Sequence, residues 1–321
     1  MRVLITGGLG LIGSEIARRY LEQDHQVVIV DNGSAGVVPI VNGAQMIYLD
    51  VRDARFHPVG GIDLVVHCAS PVGPVGILPH RGRIVEGIVT GTRAAADMAM
   101  AHECPLVNFS TSEVYGFTGT YNEQDTCQVN PGYSARHEYA IGKLAAESML
   151  GGLHSLGHLE CVNLRPFNVT GPYQSARKGF VFPRFAEQVI EGRAITIYGS
   201  GQLRRTFQAV DDLARFVCDH LDRVPFQAQP INVGAPDNET SIADLAHGFL
   251  DAWEGISGRR GSLVYMDPRT EHGPAFTEAD GDAKLPDITL ASKSGWAPER
   301  DLASLIEWAL TVKTAEVVAH G

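Results

Sequence analysis

Short apolar runs alternate with helix-like stretches through the first half of the chain, and few folds accept that rhythm. Val3–Ile5, Val27–Val30, Met46–Leu49, Leu64–Cys68, Leu106–Phe109 and Cys161–Leu164 read as strands, with Ile12–Leu21, Ile84–Ala101 and Tyr139–Leu150 as the clearest helices between them. Strands this apolar need cover on both faces, which predicts a doubly wound parallel sheet of the α/β class. After about Pro166 glycine and proline become frequent, and a strand-helix pattern resumes around Phe207–Leu221 and Ile231–Val233. The reading therefore divides the chain into a sheet domain, 1–168, with segments near 206–235 returning to it, and a smaller mixed α/β part, mainly 169–321. The Pro/Gly-rich stretch Pro71–Gly82 reads as a long loop at the C-terminal end of a strand, where such folds place ligands.

The turn after the first strand narrows the ligand. Thr6-Gly7-Gly8-Leu9-Gly10-Leu11-Ile12-Gly13 closes a strand and opens a helix. Gly7 suits the tight turn, Gly10 lets backbone approach a pyrophosphate, and Gly13 lets helix and strand pack closely. The helix N-terminus at Leu11 and Ile12 then turns unpaired N–H groups toward the phosphates. Asp31 ends the second strand, where a carboxylate accepts the adenosine ribose hydroxyls and repels a 2′-phosphate. This favours NAD over NADP. Asp50 and Val51, after the third strand, are placed to flank the adenine.

A second constellation follows the fifth strand. Ser110-Thr111-Ser112-Glu113-Val114-Tyr115-Gly116 lies at the sheet's C-terminal edge, and Tyr139-Ala140-Ile141-Gly142-Lys143 opens a helix further on. Tyr139 and Lys143, at i and i+4, share one helical face. The ammonium, with a positive nicotinamide, favours the phenolate. That phenolate can remove a hydroxyl proton while hydride leaves the same carbon, with Thr111 bonding the hydroxyl. The carboxylate of Glu113, beside Ser112, can serve as a general base or acid.

Charge and composition bound the alternatives. A net charge of −11 argues against non-specific nucleic-acid binding, which depends on neutralising phosphates. No apolar run approaches the roughly 20 residues that span a bilayer, and the N-terminus lacks the parts of a signal peptide. The expectation is a cytoplasmic protein with no membrane partner. Five scattered cysteines with no CxxC pair predict neither a disulfide framework nor a metal site.

TGGLGLIG, DNGSAG, LDVRD, HCASP, STSEVYG, YAIGK, LRPFNVTGP, IYGSGQLRRTFQAVDDLA and NVGAP, in that order, resemble the extended short-chain dehydrogenases/reductases that act on nucleotide sugars. The resemblance covers essentially the whole chain. It implies a Rossmann-type fold, NAD as cofactor, a nucleotide sugar as substrate and a homodimer. By motif it gives Thr111, Ser112, Glu113, Tyr139 and Lys143 the catalytic roles. Gly7, Gly10, Leu11, Ile12, Gly13, Asp31, Asn32, Ser34, Asp50, Val51, Cys68, Ala69 and Ser70, with Tyr139 and Lys143, are implied to hold NAD. Asn168, Val181, Arg184, Tyr198, Arg205 and Arg269 are implied on the substrate side. Two positions depart from the family pattern: Ile88 where an Asn is usual, and Gly142 where a Ser is usual.

The shared opening step is oxidation at C4 to a 4-keto sugar. The residues STSEVY, HCASP, VNP and IYGSG…RRTFQ look most similar to UDP-glucuronate decarboxylase. A 4-epimerase and a 4,6-dehydratase stand as alternatives, and a non-catalytic NAD-binding sensor as a fourth, against which the Tyr139–Lys143 pair speaks.

Overall fold

A computed structural model of the chain describes residues 1–34, 40–53, 60–116, 119–130, 134–273 and 283–320, with side chains through 315. The last residues of DNGSAG and Pro131 of the VNP motif lie outside the described residues. Seven parallel strands build the main sheet: β1 (Arg2–Thr6), β2 (Gln26–Asp31), β3 (Gln45–Tyr48), β4 (Leu64–His67), β5 (Leu106–Phe109), β6 (Cys161–Pro166) and β7 (Pro230–Val233). Their spatial order is β7-β6-β5-β4-β1-β2-β3. The chain runs outward from β1 through β3, then restarts at β4 on the other side of β1. Ligands of open α/β sheets bind in the crevice beyond the strand C-termini at this reversal.

The two-residue period of β1 decides which core each side chain joins. Val3 and Ile5 pack with Ile16 and Tyr20 of α1 (Leu11–Glu22) and with Leu213 of the short α5 (Val210–Arg215). Leu4 points the other way, toward Ala95 and Ala99 of α2 (Ile84–Ala101) and Leu150 of α3 (Ala135–Ser155). All of these are buried, and each large aliphatic contributes about 1.5–3 kcal/mol through burial.

The helix that carries Tyr139 begins at Ala135, so Tyr139 lies in its second turn rather than at its opening. Ser134 caps it by accepting the His137 N–H at 3.2 Å, a signal upstream of the apolar pattern. Glu138 reaches across to the neighbouring helix, accepting from the N–H of Gly82 at 2.9 Å and of Ile84 at 2.8 Å. That carboxylate satisfies the start of α2 and ties it to α3.

A second core lies in the C-terminal half. Phe182 and Phe185 of α4 (Val181–Ile190) meet Phe249 of α6 (Ile242–Ser257), with Leu305 and Leu310 of the C-terminal helix Leu302–His320. Four short strands, Gly119–Tyr121, Arg204–Thr206, Glu239–Ser241 and Ala283–Pro286, form a separate sheet between segments far apart in sequence. Its register sets Arg205 opposite Lys284. Among the described residues no helix is long and apolar enough to cross a membrane.

Candidate active site

A cleft of ≈ 1010 Å³ opens along the C-terminal ends of the sheet strands and runs into the C-terminal half. At one end the glycine turn is closed by backbone packing. Gly7 has φ +71°, and a Cβ there would fall 2.6 Å from the Ala69 nitrogen. A Cβ on Gly13 would fall 2.4 Å from the Gly7 carbonyl oxygen. Gly10 caps α1 without a side-chain bond, and the first turn carries no acidic residue. The open N–H groups of Leu11 and Ile12 thus meet the cleft with the positive end of the helix dipole. Such a cradle fits the pyrophosphate of a dinucleotide.

Asp31 is buried beside this turn and accepts the Leu9 N–H at 3.0 Å and the Gly33 N–H at 2.8 Å. Its carboxylate therefore shapes the loop while its remaining acceptor capacity faces the cleft. Asp50 accepts from Arg52 at 2.8 and 2.6 Å and from Asn32 at 3.3 Å. The Arg52 bonds come first among the causes that lower its carboxyl to about 2. Ser34, Val51, Cys68, Ala69 and Ser70 line the same end.

At the centre of the cleft, Lys143 donates from Nζ to the Phe109 carbonyl at 2.7 Å and lies 5.8 Å from the centroid of the Tyr139 ring. Burial brings the Lys143 ammonium down to about 8. Burial also pushes the Tyr139 phenol up, and the charge of Glu113 adds to this, while a hydrogen bond with Thr111 pulls the other way. Thr111 also accepts the Glu113 N–H at 3.2 Å and so caps the short turn Ser112–Tyr115. Behind these groups Ser110 and Arg165 converge on buried Glu147, with Arg165 bonding it at 2.9 and 2.5 Å. The Arg165 guanidinium in turn stacks 4.8 Å from the Tyr115 ring centroid, holding the STSE turn from beneath.

Two residues that the sequence reading did not single out sit on Glu113. Arg136 bonds its carboxylate at 2.7 Å and Lys284 approaches at 3.5 Å. Burial works against this carboxylate, but Arg136, Lys284 and Arg205 outweigh it and hold it at about 2. An acid role for Glu113 meets a group held ionised. Arg136 was legible, since it lies one turn before Tyr139 on the same helix. Lys284 had no local signal; only the pairing of Arg204–Thr206 with Ala283–Pro286 brings it there.

The substrate-side candidates divide. Asn168, Val181, Arg184, Tyr198 and Arg205 line the cleft, and Arg269 is not among its lining residues. Asp267 caps the helix Pro268–His272 and accepts from the Arg269 guanidinium at 2.9–3.2 Å. Glu271 and His272 of the same helix bond the hydroxyl of Tyr198, which lines the cleft, at 2.5 and 2.9 Å. Asn168, at φ +37°, donates to the Thr206 carbonyl at 2.9 Å. Arg184 stacks 4.1 Å from the Tyr198 ring centroid, yet among the described residues its buried Nε and Nη1 have no hydrogen-bond partner; nor does Nη2 of Arg205. Buried donors left open in this way await acceptors on a ligand.

Comparison with known proteins agrees with this architecture. UDP-N-acetyl-alpha-D-glucosaminuronate decarboxylase of Bacillus cytotoxicus is 31% identical over 329 aligned positions, covering 96% of this chain and 97% of that protein. UDP-glucuronic acid decarboxylase 1 of Danio rerio is 28% identical over 306, covering 92% of this chain and 69% of that one. Among solved structures, the fold matches UDP-N-acetylglucosamine 4-epimerase from Methanobrevibacter ruminantium M1, in complex with UDP-N-acetylmuramic acid, with a TM-score of 0.82 at 24% identity over 98% of each chain. The NAD dependent epimerase/dehydratase family model matches residues 3–234. With that match spanning most of its length, the chain belongs to the NAD dependent epimerase/dehydratase family, and its cofactor is NAD.

Proposed function

We propose that the chain decarboxylates a nucleotide-linked uronic acid after transient oxidation at C4 of the sugar. The observation that carries this reading is the charge around Glu113. One carboxylate faces the cations Arg136, Lys284 and Arg205, so the pocket beside Tyr139 keeps an excess of positive charge suited to a sugar carboxylate. The relatives named as decarboxylases of uronic-acid nucleotides support it.

NAD supplies the hydride acceptor and, with its positive ring, the charge that favours a phenolate. Tyr139 takes the C4 hydroxyl proton, with Thr111 bonding the same oxygen and Lys143 stabilising the phenolate. The ketone at C4 then lets the C5–carboxylate bond break, with its electrons flowing into the carbonyl. Arg205 holds the carboxylate until it leaves as carbon dioxide. C5 would then take up a proton from water, and Tyr139 would give its proton back to the C4 oxygen as the ketone is reduced.

A second reading is 4-epimerisation, favoured by the fold match to 4-epimerases. Dehydration is the poorest fit, because Glu113, held at about 2, is ionised near neutral pH and carries no proton for a departing hydroxyl. The test is to incubate purified protein with UDP-, dTDP-, GDP- and CDP-sugars, uronic acids included, and to follow product mass. Loss of carbon dioxide from a uronic acid supports the proposal. Unchanged mass with altered retention selects epimerisation, and loss of water dehydration. Tyr139→Phe should lower turnover about 100- to 10,000-fold with NAD retained. Undiminished turnover would overturn the role of Tyr139.

A further inference from the structure

Lys178 ends the short turn Ala176–Lys178 that leads toward α4, and it is built into a contact with the Pro71–Gly82 loop. Its carbonyl accepts the Val75 N–H at 3.1 Å. A Cβ on Gly73 would fall 2.6 Å from that carbonyl, and one on Gly76 would meet the Lys178 stem at 3.3 and 3.4 Å. Side chains at these two positions would hold the loops apart. Glycine instead lets the aliphatic stem lie along the loop, and Lys178 lines the same cleft as Gly10 and Gly13.

The ammonium is half-buried there and forms no hydrogen bond or ion pair with any described residue. Burial pushes it down, and the opposing charge acting on it is that of Asp31. A half-buried, unpaired cation is costly unless an anion arrives. Two pyrophosphates are candidates, one in the dinucleotide and one in a nucleotide-sugar substrate. Asp31 decides between them, because it ends β2 and bonds the Leu9 N–H of the glycine turn.

We propose that Lys178 is a cofactor-positioning residue that binds the pyrophosphate of NAD from the side opposite the α1 N-terminus. The two docked loops then form a strap across the cofactor. Retention of NAD suits a reaction in which the hydride must return to the same molecule that gave it.

The test is binding, not turnover. NADH is titrated into the full-length protein by fluorescence, and release is followed after a chase with excess NAD. Lys178→Met should raise the NADH dissociation constant about 10- to 100-fold, the worth of a charge-assisted hydrogen bond. It should speed release while leaving the thermal midpoint in place. Lys178→Arg should keep affinity within about threefold, since it retains the charge. ADP binding should weaken with Lys178→Met and adenosine binding should not, which assigns the contact to phosphate. Arg83→Gln, at an exposed cation of the same cleft, is the control for the general field. The proposal is overturned if Lys178→Met leaves NADH affinity within twofold. It also fails if Arg83→Gln matches the effect of Lys178→Met, or if the loss falls on UDP rather than on NADH and ADP.

Discussion

The two ends of the cleft are built on opposite principles. The cofactor end comes from one continuous stretch, Thr6 to Gly13, in which backbone does the contacting and missing side chains make the room. The far end is assembled from charged side chains on four separate segments: Glu113, Arg136, Arg205 and Lys284. The first depends on close packing, which is insensitive to salt and pH. The second depends on charges that oppose their own burial and hold only while all are ionised. A common cofactor can be served by a rigid cradle, whereas a substrate group has to be met by a chosen pattern of charge.

The largest effect should come from the packed end. Gly13→Ala would force a methyl to within 2.4 Å of the Gly7 oxygen and 2.9 Å of the Gly8 Cα, both backbone atoms. Neither can yield without opening the turn. We expect NADH affinity to fall at least about 100-fold, and stability by about 1–3 kcal/mol, as for overpacked sites. The affinity loss should be the same at low and high salt. Unchanged NADH titration would show that the turn can open freely, and the contrast between the two ends would collapse.

Glu113→Gln probes the charged end and should have a smaller effect, with a pH signature. The carboxylate is depressed from an ordinary 4.5 to about 2, so its stabilising contribution is fully present above pH 4.5 and is lost as pH falls through about 2. The substitution leaves buried Lys284 and Arg205 without their counter-charge. We expect a loss of about 2–3 kcal/mol near pH 7, below the value for a fully dry pair because Glu113 partly faces the cleft. Urea denaturation of both proteins at pH 7, 4.5 and 3 should show that difference shrinking toward acid. A difference independent of pH would mean that Glu113 acts by shape rather than charge.

This contrast also sets what could be read from sequence. The glycine turn, Asp31 and the Tyr139–Lys143 pair are local patterns, in which spacing alone determines geometry. The sheet followed from its apolar strands for the same reason. Arg269 was singled out for its charge, and the pairing with its neighbour Asp267 is a local contact that residue type alone does not show. Lys284 was invisible because its position depends on pairing Arg204–Thr206 with Ala283–Pro286, a long-range register that no window of sequence contains. The start of α3 was missed by one turn because the Ser134 cap lies ahead of the apolar repeat.

The smallest effect lies between the two ends, where both departures from the family pattern meet. Ile88 and Gly142 touch across the α2–α3 contact. A Cβ on Gly142 would stand 3.0 Å from Ile88 Cδ1 and 3.2 Å from the Val85 Cα. Ile88 is buried in the apolar cluster that also takes in Ile77, Ile84 and Tyr139, so the two positions form one packing solution beside Tyr139. Gly142→Ala should gain up to about 1 kcal/mol of helix propensity and lose a comparable amount to crowding. Ile88→Val removes the Cδ1 that causes the closer contact. In that background Gly142→Ala should become stabilising, giving a coupling of about 0.5–1 kcal/mol in a double-mutant cycle. Additive effects would place the strain at Val85 instead. The backbone of α2, rather than the Ile88 side chain, would then set how closely Tyr139 approaches the cleft.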